Sequence, residues 1–117
     1  MVSPLGSGVK VNWERLIAGE SGISAIQSFD VSDLPSKIAG QLPLGNESDG
    51  RFDPEHWVSS KDRRKMGDFI IYAMAAASQA VKDSGWQPET EEDRERTGVA
   101  IGSGIGGLPI MYEASIR

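Results

Sequence analysis

The chain has 117 residues, 38% hydrophobic and 25% charged, enough for one small domain with a core of its own and far from the composition of a disordered segment. A net charge of −5 and a pI near 4.8 argue against nucleic acid as a general partner. There is no cysteine, so disulfides, thiolate metal sites and cysteine nucleophiles are excluded within these residues.

Met1-Val2-Ser3-Pro4-Leu5 has neither a basic n-region nor a long apolar h-region, and no stretch approaches the roughly 20 apolar residues of a membrane span, so a cytoplasmic location without membrane contact is expected. Ser7 or Gly8 can cap a helix over about 9–18, on which Val9, Trp13, Leu16 and Ile17 form one apolar stripe, with Gly19 suited to the left-handed position that follows. A loop runs through Ser21-Gly22-Ile23. Alternation over residues 37–42 predicts a short strand, Gly45–Gly50 a polar surface loop, and Asp53-Pro54 a helix start.

The strongest element is a helix over 61–83, capped by Ser59 or Ser60 and ended by Gly85. Met66, Phe69, Ile70, Ala73, Ala76, Ala77, Ala80 and Val81 give it a wide apolar face, and the small Ala75-Ala76-Ala77 centre predicts burial between layers. Gly67 inside that helix would cost about 1 kcal/mol against alanine. An acidic link, Glu89–Glu95, leads to a buried strand at 97–102, a glycine turn and a further helix from Leu108. Helix, weak strand, helix, strong strand, helix is an α/β layered pattern.

The turn in TGVAIGSGIGGL (97–108) satisfies G-x-G-x-x-G at Gly102, Gly104 and Gly107. Nucleotide binding would also need a following strand with an acidic residue about 20 positions on, and neither is present. Tight-turn chemistry, with positive φ and close backbone packing, is the simpler reading.

MVSPLG, WERLIAGESGI (13–23), RRKMGDFIIYAMAAASQAVKDSG (63–85) and TGVAIGSGIGGL are four ordered blocks that together resemble the β-ketoacyl-acyl carrier protein synthases, with the elongating, longer-chain branch most similar and polyketide ketosynthases related. The resemblance implies a thiolase-like fold of two stacked halves, layered α-β-α-β-α, usually homodimeric. It also implies decarboxylative Claisen condensation on a cysteine thioester, assisted by two histidines, with no cofactor or metal. The family's cysteine and histidines match nothing here, and its first strand precedes the position matched by Met1. Residues 1–117 therefore read as a partial N-terminal synthase domain without catalytic residues, expected to fold poorly alone. The competing reading is a stand-alone small module that binds a nucleotide or an acidic carrier domain.

Two sites carry over. Lys61, Arg63, Arg64 and Lys65 set four positive charges against Asp62 in an acidic chain. Cations at a helix N-terminus oppose its dipole, whereas a patch for acidic acyl carrier protein would use them. The resemblance implies carrier-protein contacts at Lys61, Arg64 and Lys65. It also implies that Ile105 lines the acyl pocket near a dimer interface, where the alternative is an ordinary core isoleucine. His56 matches neither catalytic histidine and reads as a surface or packing residue. The family's Met-Asp before the helix aromatic is Met66-Gly67-Asp68 here, which puts that aspartate's contacts in doubt.

Overall fold

A computed structural model describes residues 1–116, with mixed helix and strand content in two compact units, Met1–His56 and a second from Trp57 onward. The first unit opens with a two-residue hairpin, β1 (Val2–Ser3) against β2 (Gly6–Ser7), in the register Val2↔Ser7 and Ser3↔Gly6. Helix α1 (Val9–Ile17) follows from Gly8 and ends at Ala18, with Gly19 left-handed at φ 71° as expected.

The face that α1 buries is not the predicted one. Val9, Trp13, Leu16 and Ile17 are 58–66% exposed, while Asn12 is buried and Val11 and Arg15 are half-buried. The hairpin and the 45–50 loop dictate this choice, because they present backbone carbonyls rather than apolar surface. The Asn12 amide donates to Gly6 O at 3.0 Å and Gly8 O at 2.7 Å, and its Oδ1 accepts from the Ser3 hydroxyl. Arg15 donates to Leu5 O at 2.6 Å and Asp49 O at 3.1 Å. Gly50, left-handed at φ 69°, leaves room for Val11, whose Cγ1 would lie 2.6 Å from any Cβ there. Buried polar groups need such partners, and removing one strands the others. Asn12→Ala is expected to destabilise the intact protein by about 1–3 kcal/mol. A thermal melt checks this, and an unchanged Tm would contradict the role assigned to the amide.

The predicted strand at 37–42 is present as β4 (Ile38–Gly40), paired antiparallel with β3 (Ile23–Ala25), which begins inside the expected loop. Phe52 is fully buried and is held by Phe52 N–H donating to Pro43 O at 2.8 Å and Gly45 N–H donating to Phe52 O at 3.0 Å. The 45–50 loop contains one 3₁₀ turn, Glu47–Asp49, which the Asn46 side chain caps. Asp53 accepts from Glu55 N–H at 3.0 Å at the start of α2 (Pro54–Trp57), as the Asp-Pro pair predicts.

The second unit is helical among the described residues: α3 (Ser60–Arg63), α4 (Asp68–Ser84), α5 (Glu91–Glu95) and α6 (Leu108–Ser115). The helix predicted over 61–83 is therefore broken at residues 64–67. Gly67 sits in extended conformation at the N-cap of α4, so the cost of a glycine inside a helix does not arise. Gly85 ends α4 in the left-handed conformation, as expected. The side chains that α4 buries, Ile71 and Ala75, one turn apart, lie outside the predicted apolar face, of which Phe69, Ile70 and Val81 are exposed.

The acidic link turns out to contain a helix. Thr90 and Asp93 form a reciprocal capping box, and Glu91, Glu92 and Asp93 sit where the helix dipole favours acids. Thr97 Oγ1 donates to Asp93 O at 2.6 Å and accepts from the Trp86 indole at 3.0 Å, tying the end of α5 to the end of α4. The strand predicted at 97–102 does not form: Val99 is 85% exposed and no described strand pairs with it. A strand exists only where neighbouring backbone satisfies its N–H and C=O groups, and the described residues of the second unit offer none.

Candidate functional site

The basic stretch is built on α3 and the turn after it. Ser59 caps α3, accepting from Asp62 N–H at 3.2 Å and donating to the Asp62 carboxylate at 2.7 Å. This local bond engages the stretch's one acid. Lys61 stands on α3, Arg64 is its C-cap, and Lys65 lies in the following turn; all three are exposed, as is Arg63. Among the described residues no carboxylate is ion-paired with Lys61, Arg63, Arg64 or Lys65.

The helix break relieves part of the electrostatic conflict predicted for this stretch, leaving Lys61 in the first turn of α3. Arg63, Arg64 and Lys65 fall at the C-terminal end of α3, where cations are favourable, and Asp68 stands in the first turn of α4, where an acid is favourable. Deeper in α4, burial raises the Tyr72 phenol above its usual value; Asp68 adds to this and Arg63 opposes it. Tyr72 is therefore a neutral phenol through the physiological range. His56, on α2, is exposed, in keeping with a surface residue.

Ile105 lies in the turn between residues 102 and 107, belongs to no regular element, and is 88% exposed. It is no core residue of this unit. The glycines around it differ from one another. Gly107 is left-handed at φ 74° and opens α6, with Pro109 in the first turn. Gly106 has no positive φ, yet a Cβ there would lie 2.9 Å from the Phe69 ring. Gly102 and Gly104 have neither a positive φ nor any atom within 4 Å of a would-be Cβ. Among the described residues no βαβ unit frames the turn, so the context of a dinucleotide fingerprint is not present there. Among the described residues no group of three His, Cys, Asp or Glu side chains could hold a metal ion, and no helix is long and apolar enough to cross a membrane.

The arrangement thus offers an unpaired cationic surface and, in the same unit, an apolar side chain held out on a glycine turn. The sequence missed the part played by Phe69, because its ring meets the turn across 37 residues of chain. The profile of the β-ketoacyl synthase N-terminal domain matches residues 1–116. The chain belongs to the β-ketoacyl synthase family. Among relatives of this synthase segment, the 3-oxoacyl-[acyl-carrier-protein] synthase 2 of Rhizobium meliloti is 51% identical over 114 residues, covering 97% of this chain and 27% of the relative. The corresponding synthase 2 of Vibrio cholerae is 47% identical over 95% of the chain and 25% of its own length. A mitochondrial 3-oxoacyl-[acyl-carrier-protein] synthase of Arabidopsis thaliana is 42% identical over 98% of the chain and 27% of its own length. The chain spans about a quarter of the length of the curated relatives it matches.

Proposed function

We propose that this chain is the N-terminal part of a 3-oxoacyl-[acyl-carrier-protein] synthase 2, an elongating acyltransferase of fatty acid synthesis. The observation that carries the reading is 51% identity to a protein of that name across 97% of the chain. In the complete enzyme the expected architecture is the thiolase-like α-β-α-β-α stack, as a cytoplasmic homodimer. An uncovered apolar face on α4 and an unpaired apolar stretch at 98–101 suit the addition of a sheet.

The reaction joins two thioesters. An acyl group is held on a cysteine sulfur, malonyl-acyl carrier protein loses CO₂, and the resulting carbanion attacks the acyl carbonyl carbon. The new carbon–carbon bond forms as the cysteine carbon–sulfur bond breaks. The products are 3-oxoacyl-acyl carrier protein, CO₂ and the free thiol. The nucleophile and the groups that stabilise developing negative charge come from outside these cysteine-free residues. This segment contributes recognition. Lys61, Arg64 and Lys65 dock the acidic carrier protein, and Ile105 forms part of the wall that the acyl chain meets.

Full-length enzyme supplied with acyl- and malonyl-acyl carrier protein tests the reading: CO₂ release with 3-oxoacyl product is expected, and its absence overturns the assignment. Ile105→Phe adds bulk to the proposed wall and is expected to reduce kcat/KM for long acyl chains by roughly 10-fold or more relative to short ones. An unchanged preference among acyl lengths would remove Ile105 from the pocket.

A further inference from the structure

We infer that Phe69 is a positioning residue for Ile105: its ring is the seat for the Gly106–Gly107 turn and, through that turn, sets which acyl chain lengths the synthase accepts. The inference rests on the pocket role proposed above for Ile105.

Three glycines converge on this one ring. A Cβ on Gly67 would lie 2.8 Å from Phe69 Cε1, one on Gly106 would lie 2.9 Å from both Cγ and Cδ1, and one on Gly107 would lie 3.3 Å from Cε1. Of the three, only Gly107 has the positive φ that by itself favours glycine. Gly67 and Gly106 have ordinary backbone, so it is the close approach of the ring that would crowd a side chain there. Gly102 and Gly104 show that the requirement is local, since nothing crowds them.

The seat is fixed from both sides. Phe69 stands in the first turn of α4, where Ile70 N–H donates to Gly67 O at 2.9 Å, and the buried Ile71 sets the helix rotation. From α6, Ile110 Cδ1 comes within 3.3 Å of the would-be Gly67 Cβ, and Met111 N–H donates to Gly107 O at 3.0 Å. The turn is thus held between the start of α4 and the start of α6. Ile105, one residue before Gly106, is 88% exposed and has no packing of its own. Its position is inherited from the residue that rests on the ring.

The test uses the full-length synthase and a series of acyl-carrier-protein chain lengths. Phe69→Leu removes the flat face under the turn, and Gly106→Ala drives the turn off it. Each is expected to change the long-to-short ratio of kcat/KM by roughly 5- to 10-fold, at or just below the roughly 10-fold lower end of what one methylene in a pocket is worth. The double variant is expected to change it by less than the two combined, because leucine leaves room for the alanine methyl. Phe69→Tyr keeps the ring and is expected to keep the wild-type profile. A merely structural role would lower activity equally at every chain length, and that outcome overturns the inference. If Ile105→Phe shifts the profile while Gly106→Ala does not, the pocket role stands and the Phe69 inference falls. If Ile105→Phe shifts nothing, both fall. Should Phe69→Leu not fold, the contrast between Phe69→Tyr and Gly106→Ala decides the matter.

Discussion

Purified alone, residues 1–117 are expected to melt without a cooperative transition and to bind an apolar dye such as ANS before heating. The accessible surface is 9124 Å². A compact domain of this mass exposes about 6,200 Å², and even two compact halves expose only about 7,500 Å². The excess is apolar in the places where a core should be. Val9, Trp13, Leu16 and Ile17 of α1 are open, and so are Val99, Ile101 and Ile105. Among the described residues the buried apolar side chains are Phe52, Val58, Ile71 and Ala75. Each buried large apolar side chain contributes only about 1.5–3 kcal/mol, whereas ordering each residue's backbone costs about 1–2 kcal/mol. So small a core does not enforce a unique packing. Retained helical circular dichroism, weak near-ultraviolet signal and dye binding would be its signature. A sharp cooperative melt from a monodisperse monomer would contradict this expectation and favour a self-sufficient binding module.

The same exposure explains which parts of the fold could be read from sequence. Signals acting within about four residues are legible: Asp53 before Pro54, Ser59 (one of two cap candidates) as an N-cap, though of the short α3, and Gly19 and Gly85 as left-handed helix ends. The Thr90/Asp93 box was equally local, but it was hidden inside an acidic run that read as a link. Signals that depend on distant partners were not legible. The apolar stripe of α1 lost to Asn12 and Arg15 because the hairpin and the 45–50 loop offer carbonyls. The Val99–Ile101 run has strand composition, yet composition supplies no hydrogen-bonding neighbour. Breaking the long helix at Gly67 follows from charge as well as from glycine, since the break puts three cations at one helix end and Asp68 at the start of the next. Lys61, Arg64, Lys65 and Ile105 are candidates through family resemblance, and the fold adds that all four are exposed. Phe69 was legible only as a helix residue, since its contact with Gly106 is made by folding.

Reversing the charge of the basic patch is the second large expected effect. In the full-length synthase, Lys65→Glu is expected to raise KM for acyl carrier protein about tenfold at low ionic strength. Two unit charges about 6 Å apart in water interact by about 0.7 kcal/mol, and reversal changes the product of charges by two units, giving about 1.4 kcal/mol. Salt should shrink the effect, because the Debye length falls to about 8 Å at physiological ionic strength. Lys61→Glu and Arg64→Glu are expected to act in the same direction, since neither cation has an acid partner among the described residues to reorganise. The loss should fall on encounter, slowing association more than it speeds dissociation. Turnover of a small-molecule thioester that bypasses the carrier should be unchanged, which separates docking from damage to the fold. A Kd for carrier protein that is insensitive to salt and unchanged by Lys65→Glu would rule out this surface. It would leave α3 as a solvated helix whose cations serve only its own dipole.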